Sequence, residues 1–113
     1  MEPNKNVSYK MDFPRLSEKE YLILDQLRAG GERYGLEMVT ESGGALRRGT
    51  IYVTLGRMVE KGYLSSRRES SPKDPGMPRR LYMITGEGQR ALRVADAAML
   101  AAKSGQFGGP GYA

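Results

Sequence analysis

The chain has 113 residues, enough for one domain with a single modest hydrophobic core. Hydrophobic residues make up 39% of it and charged residues 27%, a balance typical of a soluble globular protein. It contains no cysteine and no histidine, which excludes disulfides, zinc ribbons, thiolate nucleophiles and imidazole general bases. The remaining residues form no recognisable catalytic motif. We therefore expect no enzyme activity, no cofactor and no metal.

The sequence offers no membrane or export signal. No apolar run approaches the roughly 18 residues that a bilayer span needs. The first six residues lack the basic and then apolar layout of a signal peptide. We expect a cytoplasmic protein without a membrane partner.

The positive charge is concentrated in one stretch of the chain. The formal net charge is +5, yet residues 47–80 alone carry nine Lys/Arg against three Asp/Glu. Residues 1–46 have a net charge of −2 and residues 81–113 of +1. An ordinary solvated surface would mix both signs along the whole length. This clustering is typical of a face that binds nucleic-acid phosphates.

The first half of the chain predicts an N-terminal arm followed by two helices. Residues 1–16 show no sustained periodicity and are predicted to be flexible. Ser17 and Glu20 form the Ser-x-x-Glu pattern of a capping box, which opens a helix over residues 17–29. Its apolar positions have helical spacing and lie at Tyr21, Ile23, Leu24 and Leu27. A second helix is predicted over residues 34–42, before a pair of glycines.

A third helix, predicted over residues 48–61, contains many of the candidate functional residues. Spacing its residues at 100° places four apolar side chains on one buried stripe, namely Ile51, Leu55, Met58 and Val59. The opposite face carries Thr50, Val53, Arg57, Glu60 and Lys61, with Tyr52 and Thr54 on its flanks. Hydroxyl and guanidinium groups on one helix face suit phosphate oxygens and base edges in a major groove.

A basic hairpin follows the third helix. Residues 63–69 and 79–84 predict two strands, and the three prolines between them predict a loop over residues 70–78. Positive side chains lie on both strands and near the tip, at Arg67, Arg68, Lys73, Arg79 and Arg80. Three helices followed by such a hairpin predict a mostly α fold with a small β-hairpin, the winged helix-turn-helix. The winged-helix domain is predicted to span residues 17–84.

Residues 85–103 predict a fourth helix, with Thr85 as its cap. Leu92, Ala95, Met99 and Ala102 form an apolar line along it. This line predicts either a dimerisation surface or a cover over the chain's own core. The glycine-rich residues 104–113 are predicted to be a disordered tail.

Several segments, in their order and spacing, resemble the PadR-like transcriptional regulators over residues 16–92. The matching segments are Tyr34-Gly35-Leu36-Glu37, residues 49–55 with Met58, Lys61-Gly62-Tyr63-Leu64, and residues 76–85 with Gly88. Three positions differ from the family pattern. Val53 stands where a proline is usual, Leu36 where a tyrosine is frequent, and Gly56 lies inside the third helix. Val53 lies on the expected DNA face and can alter which operator is read.

The resemblance implies a homodimer that binds a palindromic operator on double-stranded DNA, usually as a repressor. It implies that Thr50, Tyr52 and Thr54 touch DNA and that the wing arginines reach the flanking backbone or minor groove. Together with the basic stretch, the predicted DNA-binding residues are Arg47, Arg48, Thr50, Tyr52, Thr54, Arg57, Lys61, Arg67, Arg68, Lys73, Arg79 and Arg80. The family joins its subunits through the first and last helices, which predicts dimer contacts at Leu24, Leu27, Leu92, Ala95, Met99 and Ala102.

The resemblance also raises the matter of an effector. Some members bind small aromatic or drug-like effectors at the dimer centre, so an unidentified small molecule is a further partner to test for. The chain has no tryptophan, unlike the drug-responsive members with their indole-stacking pocket.

Two other functions compete with DNA binding. A winged helix can serve as a protein–protein interaction module without DNA readout, but its recognition face would then be apolar or acidic. A carboxylate-based nucleic-acid-processing enzyme would need a metal-binding acidic cluster or a phosphate loop. The sequence has neither of these patterns in its basic region.

Overall fold

A computed structural model describes residues 15–69 and 79–107. Four helices and three strands lie in these ranges: α1 (Glu18–Leu27), β1 (Arg33–Tyr34), α2 (Gly35–Glu41), α3 (Ile51–Glu60), β2 (Leu64–Arg68), β3 (Arg80–Ile84) and α4 (Gly86–Phe107). The predictions for the arm before residue 15, for the 70–78 loop with Lys73, and for the tail after residue 107 lie outside the described residues.

The first helix begins as the capping-box pattern predicts. The backbone N–H of Glu20 donates to Ser17 Oγ at 3.1 Å, and the backbone N–H of Ser17 donates to Glu20 Oε1 at 2.9 Å. The helix ends at Leu27, two residues earlier than predicted. Gly30 and Gly31 follow with φ angles of 93° and 87°, a conformation that favours glycine.

The second and third helices form the helix-turn-helix. The turn between them is held by Ser42, whose hydroxyl accepts a hydrogen bond from the backbone N–H of Leu46 at 2.9 Å. Leu46 is 2% exposed and anchors this turn in the core. The third helix begins at Ile51 and ends at Glu60, so it is shorter than the predicted 48–61 span at both ends.

The predicted hairpin is part of a three-stranded antiparallel sheet in the order β1-β3-β2. The two wing strands pair over five residues each, from Leu64 opposite Ile84 to Arg68 opposite Arg80. The third strand was not predicted: β1 has only two residues, with Arg33 opposite Tyr82 on β3. Two residues are too few to show the alternation that marks a strand in a sequence.

The core is built from all four helices and both wing strands. Its buried apolar residues are Ile23, Leu24, Leu27, Met38, Leu46, Ile51, Leu55, Met58, Leu64, Tyr82, Ile84, Ala91 and Leu92. The start of α4 comes very close to the turn before β2, where a Cβ on Gly88 would lie 2.2 Å from the carbonyl oxygen of Tyr63. No side chain larger than hydrogen fits there, so Gly88 fixes where α4 leaves the sheet.

The fourth helix is longer than predicted and has two different halves. Ala91 and Leu92 are buried, whereas every side chain from residue 97 to residue 103 is exposed. The helix continues to Phe107, so residues 104–107 of the predicted disordered tail are helical instead. Among the described residues, no helix is long and apolar enough to cross a bilayer.

Candidate nucleic-acid interface

The third helix presents the outward face that the sequence predicts. Ile51, Leu55 and Met58 are at most 1% exposed and point into the core. On the other side, Tyr52 is 50% exposed and Val53 is 57% exposed. Thr50 is the exposed residue that precedes the first turn, Thr54 is half-buried and Arg57 is exposed in the last turn. This face is open to a partner along its whole length.

Of the exposed arginines in the basic stretch 47–80, four are candidates for binding an anionic ligand. They are Arg47 and Arg48 just before α3, Arg57 within it, and Arg68 at the end of β2. Within residues 15–69 and 79–103, none of the four forms an ion pair with an acidic side chain. No acidic side chain in these ranges balances their charges, which suit an anionic ligand such as a phosphate.

Lys61, also predicted to bind DNA, is held by the fold. Its Nζ lies 2.7 Å from Oε2 of Glu20, a residue that is only 6% exposed. Burial opposes ionisation of this carboxyl, but hydrogen bonds from Lys61 and from Ser17 outweigh it and lower the pKa of Glu20. The pair ties the end of α3 to the start of α1.

Arg67 is likewise engaged within the chain. Its Nε donates to Oε2 of Glu32 at 2.7 Å, and its Nη2 donates to Oε1 at 2.8 Å. This bidentate ion pair joins β2 to the segment before β1. The hydrogen bonds from Arg67 lower the pKa of Glu32. The guanidinium of Arg67 stays half-exposed, but its charge is already balanced.

Contacts around Tyr34 hold the loop end of the two wing strands. The guanidinium of Arg79 lies over the Tyr34 ring, 4.1 Å from its centroid, and the Tyr34 hydroxyl donates to the carboxylate of Glu69. This hydrogen bond to a carboxylate raises the pKa of the Tyr34 phenol. Arg80 donates across the strands to Ser66 Oγ at 3.0 Å. Arg79 and Arg80 thus lie at the end of the paired strands that leads into the predicted 70–78 loop.

The predicted dimer contacts divide into two groups. Leu24 and Leu27 are 0% exposed and Leu92 is 3% exposed, so all three are core side chains that a partner subunit cannot reach. Their apolar spacing reflects packing inside the chain. Ala95 is half-buried, whereas Met99 and Ala102 are exposed on α4.

A polar network that no local sequence pattern predicts joins α1 to α4. The hydroxyl of Tyr21 donates to Asp96 Oδ1 at 2.8 Å, and Nη1 of Arg28 donates to Asp96 Oδ2 at 2.9 Å. Arg28 also contacts Asp25 at 2.8 Å. The hydrogen bonds from Arg28 and Tyr21 lower the pKa of Asp96. Because Asp96 follows the buried part of α4, this network sets the direction of the exposed half.

The helix-turn-helix, the three-stranded sheet with its hairpin, and the open face of α3 define a winged-helix protein. The model of the PadR-like family of transcriptional regulators matches residues 23–94. The chain belongs to this family, as its motifs predicted, and it is a transcriptional regulator with a DNA-binding winged helix. The family consists of regulators rather than enzymes.

Solved structures give the same assignment. The chain is 29% identical to a PadR family regulator from Clostridium difficile R20291, with a TM-score of 0.61, covering 80% of this chain and 97% of that one. It is 28% identical to a PadR family regulator from Eggerthella lenta DSM 2243, with a TM-score of 0.66 and coverage of 79% and 78%. Comparison with curated proteins finds no match.

A structure with lower sequence identity supports the fold alone. Bacillus subtilis PadR, solved in complex with operator DNA, is 22% identical, with a TM-score of 0.60 over 71% of this chain and 46% of that one.

Proposed function

We propose that this regulator is a homodimer that binds a palindromic operator on double-stranded DNA through α3 and the wing, and that it represses transcription by occupying that operator. The observation that carries the proposal is the set of four arginines without an internal ion pair in the described residues, Arg47, Arg48, Arg57 and Arg68. Arg57 lies on α3, Arg47 and Arg48 directly precede it, and Arg68 ends β2. An α-helix has the width that a major groove admits. The operator complex of Bacillus subtilis PadR adds support from a protein of the same fold.

The contacts divide by chemistry. Arg57 stands on the outward face of α3 and Thr54 on its flank, and we assign both to base edges, where a guanidinium pairs well with guanine. Arg47 and Arg48 directly precede α3 and Arg68 ends β2. We assign these three to phosphates, which position the protein without reading sequence. Thr50 and Tyr52 complete the α3 contacts.

Some predicted contacts are given smaller roles. Arg79 and Arg80 are exposed at the loop end of the wing strands and are assigned to the flanking backbone. Lys61 and Arg67 are balanced by Glu20 and Glu32, so we assign them mainly to the fold.

Dimerisation is assigned to the exposed half of α4. Met99 is 47% exposed and Leu100 is 67% exposed, and alanines surround them at positions 97, 98, 101 and 102. A two-fold partner would cover this apolar strip with its own copy. Two recognition helices related by that axis can read half-sites about 34 Å apart, one turn of DNA.

The proposal is tested by selection of DNA from a random library with the purified protein. We expect an inverted repeat whose half-sites are centred about 10 base pairs apart, or a multiple of that distance. Placing the selected site over a promoter should lower reporter expression when the protein is present. Recovery of no enriched sequence, together with retention of a protein partner by the α3 face, would favour an interaction module instead.

A further inference from the structure

Val53 is an exposed apolar residue that the fold does not use. Its side chain is 57% exposed at the centre of the outward face of α3, where polar residues are the rule for a solvated helix. Valine is also a poorer helix former than alanine because its branched side chain is restricted against the preceding turn. Neither core packing nor helix stability explains a valine at this position.

The surface around Val53 is unusually open. On a helix, a side chain neighbours the residues three and four positions away, which here are Gly49, Thr50, Gly56 and Arg57. A Cβ on Gly49 or Gly56 would meet nothing within 4 Å, so packing inside the chain does not require glycine at either position. Glycine in a helix interior is destabilising relative to alanine. Val53 thus projects from a helix surface that a partner can approach closely.

Only one base edge in the major groove matches an exposed aliphatic side chain. Each base presents hydrogen-bonding atoms there, but thymine also presents a C5-methyl group, which small apolar side chains contact. The Val53 methyl groups can neither donate nor accept a hydrogen bond. Next to any other base they would cover a polar edge without replacing its hydrogen bonds to water.

We infer that Val53 is a specificity-determining residue that reads the methyl group of one thymine in each half-site, with Gly56 allowing the close approach. This inference rests on the proposed DNA-binding function and adds to it one base of the operator. Arg57, one helical turn further along, supplies the polar readout beside the apolar one.

Replacing one thymine with deoxyuridine removes only the C5-methyl group and leaves base pairing unchanged. The replacement therefore tests the contact with that methyl group alone. In the operator selected by the wild-type protein, each thymine is replaced in turn. We expect one position per half-site at which affinity falls by about fourfold, the contribution of one buried methyl group. Val53→Ser, which removes both methyl groups, should bind the thymine and deoxyuridine operators equally. Leu36→Ala, which shortens an exposed apolar residue on a different helix, α2, should keep the difference in affinity between the two operators.

Gly56→Ala tests the close approach, because this variant should stabilise the fold and yet weaken operator binding. The added methyl group meets no atom of the chain, so the Tm should rise. Operator affinity should nevertheless fall by roughly tenfold, because the methyl group occupies space that the DNA needs.

Two results would overturn the inference while leaving DNA binding intact: wild-type binding insensitive to deoxyuridine at every thymine, or Val53→Ser as sensitive as wild type. Unchanged operator affinity of Gly56→Ala would contradict the close approach. Failure of the wild-type protein to select any sequence would overturn both the inference and the proposed function.

Discussion

Arg67 and Glu32 form a bidentate ion pair, with both donor–acceptor distances below 3 Å, between the first wing strand, β2, and the segment that leads into β1. The planar guanidinium and the carboxylate match each other's geometry, as such pairs commonly do. The pair neutralises one arginine of the basic face in the free protein. It therefore makes this face less positive than the sequence count suggests.

Glu32→Gln should release this charge. We expect the variant to bind operator and random DNA more tightly and to steepen the salt dependence by about one unit for each Arg67 that reaches a phosphate. Folding should be almost unaffected, since exposed ion pairs contribute little to stability. Affinity measured by fluorescence anisotropy over a salt series checks this. Glu87→Gln, which removes the same charge from a partner on α4, is the matched control. An equal gain in both variants would mean that net charge alone is responsible.

The division between base and backbone contacts gives a second prediction. Arg57→Ala should weaken operator binding by about 1–3 kcal/mol and relax the preference at one base pair, because guanidinium contacts to bases carry specificity. Arg68→Ala should weaken binding to all sequences alike and flatten the salt slope by about one unit. Competition assays with operator and scrambled DNA distinguish the two effects. Arg90→Ala removes an exposed charge from α4 and should do neither. Equal losses on both DNAs for Arg57→Ala would reverse the assignment.

The ion pair between buried Glu20 and half-exposed Lys61 predicts a pH-dependent stability. The pKa of Glu20 is lowered by folding, so its contribution is fully present above the ordinary value of 4.5 and is lost as pH falls through the folded value. Glu20→Gln keeps a residue that completes the capping box but loses the ionic bond to Lys61. We expect it to lower the free energy of unfolding by about 1–2 kcal/mol at pH 7. Urea unfolding should show the two proteins converging below pH 4.5, and a constant difference down to pH 3 would contradict this account.

The dimer prediction uses the difference between the two halves of α4. Replacing both Met99 and Leu100 with aspartate should leave the fold intact, because both side chains are exposed, but should give a monomer that binds operator weakly. Leu92→Asp should instead unfold the chain, since it places a charge in the core. Sedimentation velocity and circular dichroism separate the outcomes. Gln89→Asp, exposed near the start of α4, should stay dimeric. A wild-type monomer at micromolar concentration would contradict the proposed dimer.

Local sequence patterns predicted the features that depend on neighbouring residues. The capping box at Ser17 and the sidedness of α3 follow from hydrogen bonds and periodicity within one helix. The apolar stripe of α4 was ambiguous at Leu92, because burial in the core and burial by a partner demand the same spacing. The structure assigns Leu92 to the core.

Long-range relationships left no such pattern. The hydrogen bond from Tyr21 to Asp96 spans 75 positions, and the pair of Arg67 with Glu32 spans 35. None of these four residues has a sequence spacing that distinguishes it from an ordinary exposed polar residue. The basic composition of residues 47–80 was readable, but not which of its charges are already balanced.

Salt titration tests whether this regulator holds DNA through the basic face and reads it through α3. Affinity for the selected operator and for scrambled DNA of equal length and composition is measured over the same salt range. If the dimer neutralises about six phosphates, log K should fall with log salt at a slope of roughly −5 on both DNAs. The operator should stay at least about 1,000-fold tighter throughout. A flat salt dependence, or equal affinity for the two DNAs, would contradict the account.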